Sequence, residues 1–155
     1  MLAHRRRASV VDQAPSGAGG RPVMLATMDV PFQQEAAEFA VDAALETGQP
    51  LVLVNVVEIF PTLAAVHFKD VDYSSAEDVA ALRAPAELAQ SLGVRVERLR
   101  IRSPHPLDAL CETVAERSPG LLVFGPDRNR LRGRRYRKAV RTLRAKVACL
   151  LWLPD

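Results

Sequence analysis

Five short apolar runs separated by stretches of helical periodicity constrain this chain more than any other feature. The runs cover residues 22–29, 51–57, 94–102, 121–125 and 147–153. Leu51-Val52-Leu53-Val54-Asn55-Val56-Val57 and Leu121-Leu122-Val123-Phe124 are continuous rather than alternating, as strands covered on both faces require. Between the first two runs, residues 34–47 place Ala37, Ala40, Val41, Ala44 and Leu45 on one helical face, and Gly48 closes it. Residues 76–92 read as a second helix ended by Gly93, and Pro85 inside it predicts a kink or a late restart. Pro106 suits the first position of a third helix, whose apolar face is Leu107, Leu110, Cys111 and Val114. A fourth runs through Val140 and Leu143. Strict alternation of this kind predicts an α/β domain, a doubly wound parallel sheet with right-handed crossovers and helices on both faces. Such sheets bind ligands beyond the carboxyl ends of their strands, where the winding reverses. Here that rule points to Asp29 and to the loop after Gly125.

The third run is the weakest. Val94 and Val96 alternate with Arg95 and Glu97, then the phase slips to Leu99 and Ile101, which predicts an edge strand with a bulge. Residues 1–20 combine arginines with Pro15-Ser16-Gly17-Ala18-Gly19-Gly20 and hold too little apolar surface to fold. They are expected to be a disordered tail, leaving 21–155 as one domain. Arg6-Arg7-Ala8-Ser9 has the form of a basophilic kinase site, a pattern short enough to recur by chance. No apolar run approaches the roughly 20 residues that cross a bilayer, and no apolar stretch follows the basic start as a signal peptide needs. Two cysteines, Cys111 and Cys149, suit buried thiols in a reducing compartment, so the expected location is cytoplasmic.

Charge is unevenly spread. Residues 128–146 hold ten Lys or Arg and no acid, whereas the rest of the chain holds eleven basic and eighteen acidic side chains, a net −7. An acidic body therefore carries one segment of +10, and an anion near that segment is expected.

The opening strand ending in Asp29, the Ser103-Pro104-His105-Pro106 block with its helix and Leu121–Gly125, and the closing Val147–Pro154 together resemble the universal stress protein family. The resemblance covers about residues 21–154. It implies a Rossmann-like sheet of the adenine nucleotide alpha hydrolase type, strand order 3-2-1-4-5, and a homodimer through the last strand. It also implies an adenine-nucleotide site, with ATP or a related nucleotide as ligand. In that site Asp29 would meet the adenine or ribose, and Val56 would present backbone beside the base. Nucleotide-binding members continue with a glycine, two residues, a second glycine, nine residues, and a glycine followed by Ser or Thr. Gly125 fits the first position, but the others fall on Arg128, Lys138 and Ala139. Glycines there allow positive φ and let phosphate oxygens approach backbone N–H groups; a long side chain obstructs that approach, and Ala139 has no hydroxyl.

Arginines stand in place of the glycines, and they bind phosphate by side-chain forks. Three readings of Arg128, Arg130, Lys138 and their neighbours compete. The first is a solvated face, the second a phosphate or other small-anion site, and the third a nucleic-acid surface. Nucleic acid ranks last, since Tyr136 alone offers a ring for stacking. His4, His67 and His105 are scattered, no metal-ligand spacing appears, and no catalytic motif is found. The expected function is a non-enzymatic regulatory or binding domain in stress response, with ATP binding weakened or lost. A weak ATPase and a purely structural dimerisation domain are the alternatives.

Overall fold

The computed structural model describes residues 7–12, 20–60 and 76–155. The expectations placed on residues 1–6, 13–19 and 61–75, which include His4, His67 and the connection through Pro61, lie outside the described residues. Strands β1 (Arg7–Asp12), β2 (Val23–Met28), β3 (Leu51–Glu58), β4 (Val96–Ser103), β5 (Leu121–Phe124) and β6 (Leu150–Trp152) form one sheet ordered β1-β4-β3-β2-β5-β6. Helices α1 (Gln34–Thr47), α2 (Ala76–Ser91), α3 (Pro106–Arg117) and α4 (Gly133–Lys146) connect or flank the parallel strands. Counted along the chain, the five parallel strands run 3-2-1-4-5 across the sheet, as expected.

β2 lies at the centre, and all six of its residues are buried. Met24, Ala26 and Met28 face α3 and α4, while Val23 and Leu25 face α1 and α2, so one strand feeds two cores. This is why the strands read as continuous apolar runs. α1 ends at Gly48, whose φ of 68° is the left-handed conformation that glycine adopts without a Cβ penalty. α2 runs unbroken from Ala76 to Ser91 with Pro85 inside, so the helix does not restart at the proline.

β4 pairs with β3 in continuous register from Val96 to Ser103, without a bulge. Its apparent phase slip is a change of which face is apolar. Leu99 and Ile101 join the α3/α4 core, Val96 joins the α1/α2 core, and Arg98, Arg100 and Arg102 alternate with the former. Nor is β4 at the edge. Arg7–Asp12, expected to be part of a disordered tail, pairs antiparallel with it, and the one register shift lies in that added strand, between Val10 and Asp12. An uncovered β4 would present a row of unpaired backbone groups, which a short added strand satisfies.

Among the described residues no further strand covers the opposite edge. β6 pairs on one side only, with β5. Leu151 and Leu153 pack on the α3/α4 core and Trp152 stacks on Phe39 at 4.2 Å between ring centroids, but Leu150 is 75% exposed. No helix among the described residues is long and apolar enough to cross a membrane.

Candidate functional site

The carboxyl ends of β2, β3 and β5 meet where the winding reverses. Asp29 follows β2 directly and holds a φ of 61°, a left-handed conformation that Asp tolerates better than most residues. Its N–H donates to the Val56 carbonyl at 3.0 Å, and its Oδ1 accepts the Glu58 N–H at 2.7 Å. The other carboxylate oxygen is taken from across the cleft. Arg135, in the first turn of α4, donates Nη2 to Asp29 Oδ2 at 2.9 Å and to Glu58 Oε2 at 3.4 Å. Both carboxylate oxygens of Asp29 and the Val56 carbonyl are thus engaged within the protein.

Gly125 ends β5. Its N–H donates to the Ala26 carbonyl at 2.9 Å and its carbonyl accepts from Gln33 at 2.8 Å. A Cβ added there would stand 2.2 Å from the Ala36 Cβ, so glycine is needed for α1 to approach the sheet. The Asp127 N–H donates to the Pro31 carbonyl at 2.8 Å, and Phe32 bridges Pro126, so the loops after β2 and β5 are zipped together. Asp127 then organises the turn. Its side chain accepts the Asn129 N–H at 2.9 Å, and its carbonyl accepts those of Arg130 and Leu131 at 3.1 and 2.8 Å. Between Gly125 and Leu131 the amides of 125, 127, 129, 130 and 131 are all engaged, and Pro126 has none. A phosphate cradle is built from such amides, and here all but that of Arg128 are occupied.

The remaining expected site residues separate. Arg128 lays its guanidinium over the Tyr136 ring, 3.5 Å from the centroid. Arg130 lies 3.8 Å from the Asp127 carboxylate. Lys138 stands in the second turn of α4, because the helix begins at Gly133 rather than at the motif position. Ala139, the hydroxyl position, is fully buried in the α3/α4 core with Tyr136 and Leu143. The structure therefore brings Asp29 and Val56 together, and sets Gly125, Arg128 and Arg130 in an adjoining closed turn. Lys138 is not part of that turn but lines a pocket with Met28, Glu58 and Arg135, and Ala139 is buried. Glu58 and Asp127 escaped the sequence reading, and Arg135 entered it only as one cation of the basic segment. Glu58 extends the β-run of 51–57 by one residue, which made it findable; Arg135 is indistinguishable in sequence from the arginines around it.

Among the described residues no cluster of His, Cys, Asp and Glu could hold a metal ion. Cys111 and Cys149 are free, and burial pushes both thiols up from their ordinary pKa, which keeps them protonated and poorly nucleophilic at neutral pH.

The sequence model of the universal stress protein family matches residues 20–141. The chain belongs to the universal stress protein family. Solved structures of that family share its fold. The universal stress protein UspA from Lactobacillus plantarum superposes with a TM-score of 0.65 at 16% identity, covering 88% of this chain and 100% of that one. The universal stress protein from Archaeoglobus fulgidus in complex with dAMP gives 0.58 at 17%, covering 88% and 98%. A family protein from Arabidopsis thaliana with AMP bound gives 0.59 at 18%, covering 86% and 90%. No curated protein matches the chain.

Proposed function

We propose that this protein is a non-enzymatic, cytoplasmic regulatory member of the universal stress protein family, acting as a homodimer, in which adenine-nucleotide binding is weakened. The observation that carries the reading is the turn from Gly125 to Leu131, in which the amides of Gly125, Asp127, Asn129, Arg130 and Leu131 already donate within the protein. Two structural neighbours hold dAMP and AMP. In this chain a nucleotide at the corresponding strand ends would have to displace Arg135 from Asp29 and reopen the Asp127 turn before gaining a phosphate contact. Each hydrogen bond broken in this way costs free energy that a competing ligand must recover. The homodimer reading rests on the open β6 edge and the exposed Leu150.

The test compares AMP with ribose 5-phosphate by calorimetry. The two share a sugar phosphate and differ in the base. Equal affinities are expected, because the base-side groups are already engaged. AMP binding at least tenfold tighter, with the advantage lost in Asp29→Ala, would overturn the reading. For the dimer, light scattering should give twice the chain mass, and Leu150→Lys should halve it; a monomeric mass in the parent protein refutes pairing.

A further inference from the structure

α3 and α4 do not close on each other over their whole length. A pocket of about 620 Å³ opens between the start of α3 and one side of α4, with Met28 and Glu58 at its inner end. It is not the expected phosphate loop: Gly125, Arg128 and Arg130 do not line it, and neither does Asp29. Its charged groups can be paired off. Arg135 is held by Asp29 and Glu58, and Lys146 Nζ lies 3.4 Å from Asp108. Lys138 and Arg141 also line it, three residues apart on one side of α4, and neither has an ion-pair partner among the described residues. Thr142, one turn beyond Lys138, adds a hydroxyl donor on the same side.

Two cations that repel each other across a concave wall, with the neighbouring carboxylates already engaged, leave the pocket two positive charges in excess. The first turn of α3 lines the opposite wall with Pro106 at its opening position, so the positive end of that helix adds to the same field. Met28, Pro104, Leu107 and Ala145 give it an apolar lining. The space falls within the 300–1,000 Å³ typical of small-molecule sites, so it has room for more than a bare anion.

We infer that this pocket binds a compact phosphate monoester, its dianionic head between Lys138, Arg141 and Thr142 and its organic part against the apolar lining. Arginine takes two phosphate oxygens by its fork and lysine a third as a point charge, which suits a terminal phosphate. The inference extends the proposed function: the anion the basic segment was expected to hold lies between α3 and α4, and the base plays no part.

The experiment titrates the full chain with inorganic phosphate and with ribose 5-phosphate, read by calorimetry and by amide chemical shifts. Ribose 5-phosphate is expected to bind more tightly than inorganic phosphate and to shift Leu107, Thr142 and Ala145. Lys138→Ala and Arg141→Ala should each weaken it at least tenfold, whereas Arg134→Ala, which removes an exposed charge outside the pocket, should change it less than twofold. Both pocket side chains are exposed, so the folded state is expected to persist; unchanged amide dispersion in each variant checks this. Three results would each overturn the proposal: no binding of either probe, equal sensitivity to Arg134→Ala, or shifts centred on Asp127–Asn129. A failure here leaves the AMP comparison untouched, because that experiment reads the contribution of the base.

Discussion

Asp29 and Gly125 end neighbouring parts of the same sheet, and both sit where a nucleotide-binding relative would be expected to meet its ligand. The two positions are closed in different ways. On the Asp29 side the acceptors remain and an arginine from α4 has filled them. On the Gly125 side the backbone donors are taken by the carbonyls of Ala26, Pro31 and Asp127 and by the Asp127 carboxylate. One region is closed by a single long side chain, the other by a network of backbone bonds. Gly125 fits a phosphate motif by position while the packing of α1 on its own requires a glycine there, and the two closures differ in how easily they reopen. A side chain that is 56% exposed can swing away; a turn with five engaged amides cannot open without local unfolding.

The largest expected effect breaks the Gly125 side. Gly125→Val puts branched carbon where α1 already touches the sheet, 2.2 Å from the Ala36 Cβ. Overpacking of this kind should cost about 3 kcal/mol, read as a lower urea midpoint at unchanged slope. Ala36→Gly in the same chain removes the clashing atom and should recover part of the loss, although the glycine itself costs about 1 kcal/mol in a helix. A Gly125→Val protein as stable as the parent would show that the glycine is kept for something other than packing against α1.

What could be read from sequence follows the same division between regular pattern and particular side chain. Five strands and four helices were legible because buried strands and amphipathic helices leave periods of their own, and strand order followed with the family resemblance. β1 was not, because Ala8-Ser9-Val10-Val11 is short, sits among arginines, and gains its stability from the edge of β4. The fourth helix was read through Val140 and Leu143 without a start; its buried stripe begins earlier, with Tyr136, Ala139 and Leu143 at i, i+3 and i+7, and the helix itself begins at Gly133. Within the site, Asp29 and Gly125 were legible by position. The Arg135 contact to Asp29 was not, since it joins residues 106 apart and nothing local distinguishes that arginine from its neighbours.

A middle-sized effect tests the Asp29 side. Asp29→Ala removes the acceptor of the Glu58 N–H and places alanine in a left-handed conformation, together about 2 kcal/mol. Asp29→Asn keeps a carbonyl oxygen for that N–H and a residue that tolerates positive φ, so it should lose about 1 kcal/mol or less. The Arg135 pair contributes little to this difference, because it is exposed and exposed pairs are worth at most about 1 kcal/mol. Equal losses in the two variants would mean that charge, rather than the local hydrogen bond, holds the end of β2.

The smallest effect separates two arginines inside the basic segment that look alike in sequence. Arg128 is half-buried with its guanidinium 3.5 Å from the Tyr136 centroid, and Tyr136 is itself buried against Phe124 at 6.1 Å. Arg130 is exposed and reaches Asp127 only at 3.8 Å. A cation over a largely desolvated ring is worth about 1 kcal/mol, whereas an exposed pair of that length is worth a few tenths, roughly 0.3 kcal/mol. Arg128→Ala should therefore lower the urea midpoint measurably, and Arg130→Ala should barely move it. Salt sharpens the contrast: the Arg130 contact should fade between low and physiological ionic strength, while the Arg128 contact, sheltered by the ring, should persist. A double-mutant cycle of Arg128→Ala with Tyr136→Leu isolates the ring's share. A coupling near zero would return Arg128 to the solvated face and leave the closure of the turn to Asp127 alone.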